Sequence, residues 1–179
     1  EVQLPDLQVR AEEKVLTGKN QECAPCHKIA YENWSQSRHR VAYTNELFLE
    51  EQSSKPSAWC LNCHAPFARP GANPVVAAQR VQSEDGISCN VCHLRNNQVM
   101  VSKLPPAKNA QPAHDYLVQP AMASAKFCSP CHDFNFIPAA APAEAGEKLR
   151  FADQPMQETY VEWLRSGFSG TTCQQCHLL

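Results

Sequence analysis

The sequence predicts a mainly α protein with extensive loops and little or no β-strand, in which something other than side chains fills much of the interior. Three observations predict it. Five Cys-x-x-Cys-His motifs are spread along 179 residues, fourteen prolines interrupt the chain, and aromatic residues make up only 8%. Proline removes a backbone donor and breaks a helix interior, so the helices should be short. Few large rings leave little material for a side-chain core. The length fits one domain, so 1–179 is expected to fold as a single unit with 1–20 as a lead-in segment.

The ten cysteines fall in five pairs, and none is left over. The motifs are Cys23-Ala-Pro-Cys26-His27, Cys60-Leu-Asn-Cys63-His64, Cys89-Asn-Val-Cys92-His93, Cys128-Ser-Pro-Cys131-His132 and Cys173-Gln-Gln-Cys176-His177. Cys-x-x-Cys-His is the attachment signature of c-type haem. The two thiols add across the two vinyl groups of one haem, and a two-residue spacer matches the separation of those vinyls. The adjoining histidine then lies beneath the iron as proximal ligand.

Three other chemistries use such pairs. Zinc ribbons have no need of a histidine directly after every pair. Thioredoxin-like motifs come singly in a βαβ pattern. A disulfide framework explains neither the uniform spacing nor the histidines. The chain has seven histidines; at that frequency, five of them following five pairs by chance is on the order of 10⁻⁷. The expected cofactor is therefore five haem c groups. Their apolar rings would replace much of the core, which accounts for the low aromatic count. At this density the haems must pack closely, in edge or face contact.

Between the motifs, 11–49 and 154–168 are expected to be helical. The stretches from Leu104-Pro105-Pro106 to Pro112 and from Ile137 to Pro142 read as loops or linkers. One element is repeated. Tyr31-Glu-Asn-Trp34-Ser-Gln-Ser37-Arg-His39 and Tyr160-Val-Glu-Trp163-Leu-Arg-Ser166-Gly-Phe168 share Tyr, Trp and Ser at the same offsets. Tyr and Trp three apart lie on one helical face, which suits a helix packed on haem. The ninth position differs: His39 can reach an open iron face, and Phe168 cannot ligate.

Five haems need five distal ligands for full six-coordination. Beyond the proximal His27, His64, His93, His132 and His177, the chain has only His39 and His114. The next-best ligand is methionine, whose thioether raises the reduction potential. Met100, Met122 and Met156 are the three available, although methionine is also a common core filler. Lys103, Lys126, tyrosines, the terminal amine, a neighbouring subunit or an open iron are the remaining options.

The chain resembles the multihaem cytochromes c related to the tetrahaem cytochrome of ammonia oxidisers and to hydroxylamine oxidoreductase. The resemblance covers about residues 20–179. It rests on Cys23 to His39 with its W-x-x-S-x-H ending, Trp59 to Pro66, Glu84 to His93, Phe127 to Asp133, and Thr159 to His177. It implies that His39 is a distal ligand, to a haem other than that on Cys23 and Cys26, and that His114 acts likewise. The scarcity of further histidines departs from uniform bis-histidine ligation. No Cys-x-x-Cys-Lys variant occurs, although nitrite reductases of the group often use one.

The reading favoured is an electron-transfer protein relaying electrons between redox donor and acceptor proteins. Two alternatives are a haem enzyme acting on a small nitrogen or sulfur species at an open haem, and a subunit of an extracellular cytochrome filament or membrane redox complex. A formal net charge of −2 gives no footing for nucleic acid or a polybasic membrane role. Haem c is attached outside the cytoplasm, so an exported, periplasmic or extracellular protein is expected. Glu1-Val2-Gln3-Leu4 shows no signal peptide and reads as a mature start.

Overall fold

Each Cys-x-x-Cys-His motif folds as one helical turn in the computed structural model of the chain. The structure describes residues 20–54, 57, 59–66, 86–95, 98–104, 114–136 and 153–178. Both proposed linkers, 105–112 and 137–142, and the start of the first helical stretch, 11–19, lie outside them. The helices are α1 (Asn20–Cys23), α2 (Lys28–Ser35), α3 (Glu46–Ser54), α4 (Leu61–His64), α5 (Cys89–His93), α6 (Ser129–His132), α7 (Thr159–Arg165) and α8 (Cys173–His177). The architecture is mainly α with loops, as the prolines and motifs predict.

The turns have a common cause. The histidine N–H donates to the first cysteine's carbonyl at 2.9 Å for His27, 3.0 Å for His64 and 3.1 Å for His132. Residues three and four apart then lie on the same side of the turn, which brings each pair of thiols and its imidazole to one face. Local caps set the other ends. The Asn45 side-chain oxygen accepts the N–H groups of Leu47 and Phe48 and starts α3. Thr172 and Gln175 form a reciprocal capping box at the start of α8.

Strands are few and short. β1 (Leu94–Arg95) pairs antiparallel with β2 (Gln98–Val101), and β2 pairs parallel with β3 (Tyr116–Val118). β4 (Asp133–Asn135) pairs antiparallel with β5 (Pro155–Glu158), with a bulge between Phe134 and Asn135. This corrects the helical expectation for 154–168. Residues 155–158 are extended because they complete a ladder with the segment after His132, and the helix begins only at Thr159. Strand pairing across the fold overrides local propensity there.

The described residues fall into two compact units, one between 20 and 119 and one between 120 and 178. The first buries Ala65, Val91, Leu94 and Met100; the second buries Met122, Ala125 and Phe134. No helix among the described residues is long and apolar enough to cross a membrane.

Candidate haem attachment sites

None of the ten cysteines forms a disulfide, and two stand on each motif turn. Among the described residues, no three His, Cys, Asp or Glu side chains gather as a metal ion would need. Burial pushes the Cys89 thiol up to about 11, with Cys23 beside it adding to the rise. Burial likewise raises Cys23. Redox-active Cys-x-x-Cys pairs show the opposite shift, toward thiolate.

Two of the motif histidines are oriented by main-chain carbonyls. His64 Nδ1 donates to the Ala42 carbonyl at 2.7 Å, and Phe48 lies flat on its ring, with centroids 4.0 Å apart and planes within 5°. His93 Nδ1 donates to the Met100 carbonyl at 3.0 Å. A carbonyl can only accept, so each ring carries its proton on Nδ1 and leaves the Nε2 lone pair for a metal. Burial lowers the His132 pKa, opposed by a side-chain hydrogen bond with Gln157 of β5, and keeps the ring neutral. Gln157 had no signal in the sequence, because its role depends on the β4–β5 ladder.

Motifs distant in sequence meet in space. In the first unit, Cys23 and Cys89 lie beside one another. Asn20, only 2% exposed, accepts the Cys89 N–H at 3.0 Å and so caps the third motif's helix from the first motif's. In the second unit, the Gln174 amide donates to the Met122 and Ser124 carbonyls at 2.7 and 2.8 Å, tying the fifth motif to the lead of the fourth. Two buried polar atoms lack a partner, Ser88 Oγ beside the third motif and Gln174 Oε1 inside the fifth. Two thiols and an imidazole carried on each turn are the donor set that haem c takes, so the residues fit that group.

The repeat is one hydrogen-bonded clamp built twice. Trp34 Nε1 donates to Ile87 O at 2.8 Å, and Ile87 N–H donates to His39 O at 2.9 Å. Trp163 Nε1 donates to Thr171 O at 2.8 Å, and Thr171 N–H donates to Phe168 O at 2.8 Å. Ile87 and Thr171 each stand two residues before the first cysteine of a motif. The serine hydroxyl of each copy donates to its tryptophan's carbonyl, at 2.7 Å for Ser37 and 2.8 Å for Ser166. Tyrosine and tryptophan rings are 5.7 Å apart in the first copy and 5.5 Å in the second. Gly86 sits inside the first clamp with φ +58, against the backbone of 39–42.

The clamp yields a prediction. Trp34→Phe keeps the ring but removes the indole donor, and should cost about 1 kcal/mol, read as a lower melting temperature of the holoprotein. Trp163→Phe should cost a similar amount. An unchanged melt for both variants would show that the indole bonds contribute nothing.

The candidate distal residues are scattered. His114 lies in the first unit with its ring centroid 6.4 Å from that of His27 and the planes 30° apart. Its Nδ1 is 3.4 Å from Asp115 O, and Tyr116 meets the ring edge-on. His39 is exposed on the turn after α2. Met100 is buried in β2, and its carbonyl lies on the Nδ1 side of His93; Met122 is buried, with its carbonyl accepting the Gln174 amide; Met156 is 51% exposed in β5.

The fold is that of a multihaem cytochrome c in its likeness to a solved structure. Residues 22–94, which hold the first three motifs, match the family described as cytochrome c554 and c-prime. The chain is similar in structure to a penta-heme cytochrome c552 from Thermochromatium tepidum, with a TM-score of 0.60 and 19% sequence identity. That likeness covers 90% of this chain and 54% of the other, so the chain spans about half the length of that protein. No curated protein matches it.

Proposed function

We propose that the chain carries five haem c groups, one on each Cys-x-x-Cys-His turn, and relays electrons through them between a donor and an acceptor protein. The observation that carries this is the recurrence of one turn, with two cysteines outside any disulfide and a histidine, at five places. When bound, haem c supplies a one-electron couple whose potential the protein sets through axial ligands, hydrogen bonds and burial. Cys23 and Cys26, Cys60 and Cys63, Cys89 and Cys92, Cys128 and Cys131, and Cys173 and Cys176 hold the groups. His27, His64, His93, His132 and His177 ligate from the proximal side.

The Cys23–Cys89 contact supports direct passage between the first and third groups, so the relay does not follow sequence order. His114 is the distal ligand opposite His27. With metal–nitrogen bonds of about 2 Å, two imidazoles trans on one iron put their centroids roughly 6 Å apart, and 6.4 Å separates this pair. His39 ligates an iron other than that opposite His27. Met100 does not serve the iron of His93, because its main chain binds that histidine from behind. The arrangement suits the group related to the ammonia-oxidiser cytochrome and hydroxylamine oxidoreductase, which the motifs resemble. Export to the periplasm or beyond follows from haem c attachment.

A potentiometric titration of the holoprotein tests the relay. Five one-electron equivalents spread over more than one Nernst wave are expected. Uptake of a single electron would contradict the proposal.

A further inference from the structure

We infer that Phe48 is a positioning residue for the haem of the second motif: its ring, laid flat on His64, holds the plane of that imidazole and favours the oxidised state of the iron it ligates. The inference rests on the proposal that His64 is a proximal ligand.

An imidazole bound through Nε2 keeps one freedom, rotation about the metal–nitrogen bond, and its plane is set by what its other atoms touch. His64 is restrained twice. Its Nδ1 donates to Ala42 O at 2.7 Å, which tethers one edge of the ring. The Phe48 ring covers one face, with centroids 4.0 Å apart and planes within 5°. A turn of the imidazole would drive it into the phenyl ring.

Both restraints come from one braced segment, which reaches the motif from 22 residues upstream at Ala42. The Ala42 N–H donates to His39 O at 3.2 Å, and the Asn45 N–H donates to Val41 O at 2.9 Å. The Asn45 side-chain oxygen accepts the Phe48 N–H at 3.3 Å. The Tyr43 ring leans on Phe48, with centroids 5.9 Å apart and planes 55° apart.

The spacing separates this pair from a pair of ligands. His27 and His114 are 6.4 Å apart, which leaves room for an iron between them; 4.0 Å leaves none. Phe48 therefore flanks the imidazole, and the Nε2 edge is left for the metal.

The spacing also bears on charge. Neutral aromatic pairs prefer offset or edge-on contacts with centroids about 4.5–7 Å apart, because two π faces repel. A closer parallel stack suits a ring short of electrons. An imidazole loses electron density when its Nε2 binds ferric iron, and the negative face of a phenyl ring then attracts it as it would a cation. The attraction weakens on reduction, so Phe48 lowers the potential of that haem.

Potentiometric titration and EPR spectroscopy of the holoprotein test this, with intact mass confirming equal haem content in every variant. Phe48→Leu keeps apolar bulk and removes the π face. One of its five reduction potentials should rise and one ferric haem signal should change its g values, with the other four unmoved. Phe48→Tyr keeps the π face and should match wild type in both. Wild-type potentials and g values in Phe48→Leu would show a space-filling side chain and overturn the inference, as would the same shift in both variants. A wild type with no haem on the peptide that holds Cys60 and Cys63 would overturn instead the attachment on which it rests.

Discussion

Gly86→Ala should unseat the turn that carries His39. Gly86 adopts φ +58, and a Cβ there would lie 2.5 Å from His39 O, 2.9 Å from Ala42 N and 3.0 Å from Arg40 O. All three atoms are backbone, so no side-chain rotation relieves the contact. The left-handed conformation alone costs a residue with a Cβ roughly 1–2 kcal/mol. Parting the two segments also loses the Ile87–His39 and Trp34–Ile87 hydrogen bonds, each worth about 1 kcal/mol. A total loss of about 3–5 kcal/mol is expected, within the range of severe single substitutions. The holoprotein should melt at a markedly lower temperature, and one haem should show the spectral change that His39→Ala gives. A variant with wild-type melt and spectrum would mean that the segments are not locked together as described.

His114→Ala should convert one haem from low to high spin and leave the others unchanged, with every haem still attached. The haem affected should be the one on Cys23 and Cys26, because His114 faces His27. Loss of an imidazole ligand removes a strong donor, so the potential of that haem should rise. Tyr116→Phe is a fitting control: it keeps the edge-on ring contact with His114 and should leave the spin state as it is. If His114→Ala has the wild-type spectrum, His114 is not a ligand and the spacing of the two rings has another origin.

Much of this was legible in the sequence, for physical reasons that can be named. The Cys-x-x-Cys-His spacing marks shared chemistry whatever the fold around it, so the five attachment motifs could be read from the residues, although the short turn each one forms was not. The Tyr–Trp–Ser repeat could be seen because side-chain identity marks a helical face. Its main function could not be seen, because the clamp is made largely of carbonyls and N–H groups, which every residue has. His39 drew notice for its imidazole; its backbone oxygen, which holds the third motif's lead, carried no sign. Asn20 was hidden in the same way, since capping Cys89 needs a partner 69 residues away. Residues 155–158 were expected to be helical because their pairing with 133–135 depends on a fold in which the two segments lie side by side. Gly86 gave one available cue, a lone glycine before a motif, which often marks a close backbone approach.

Five haems on one chain is the central claim, and intact mass spectrometry of the denatured holoprotein tests it most directly. Covalent attachment survives denaturation, so the mass should exceed that of the 19.9 kDa polypeptide by five haem groups. Replacing Cys173 and Cys176 together by alanine should lower the increment to four. An increment of fewer than five in the wild type, or a mass equal to the polypeptide alone, would contradict it.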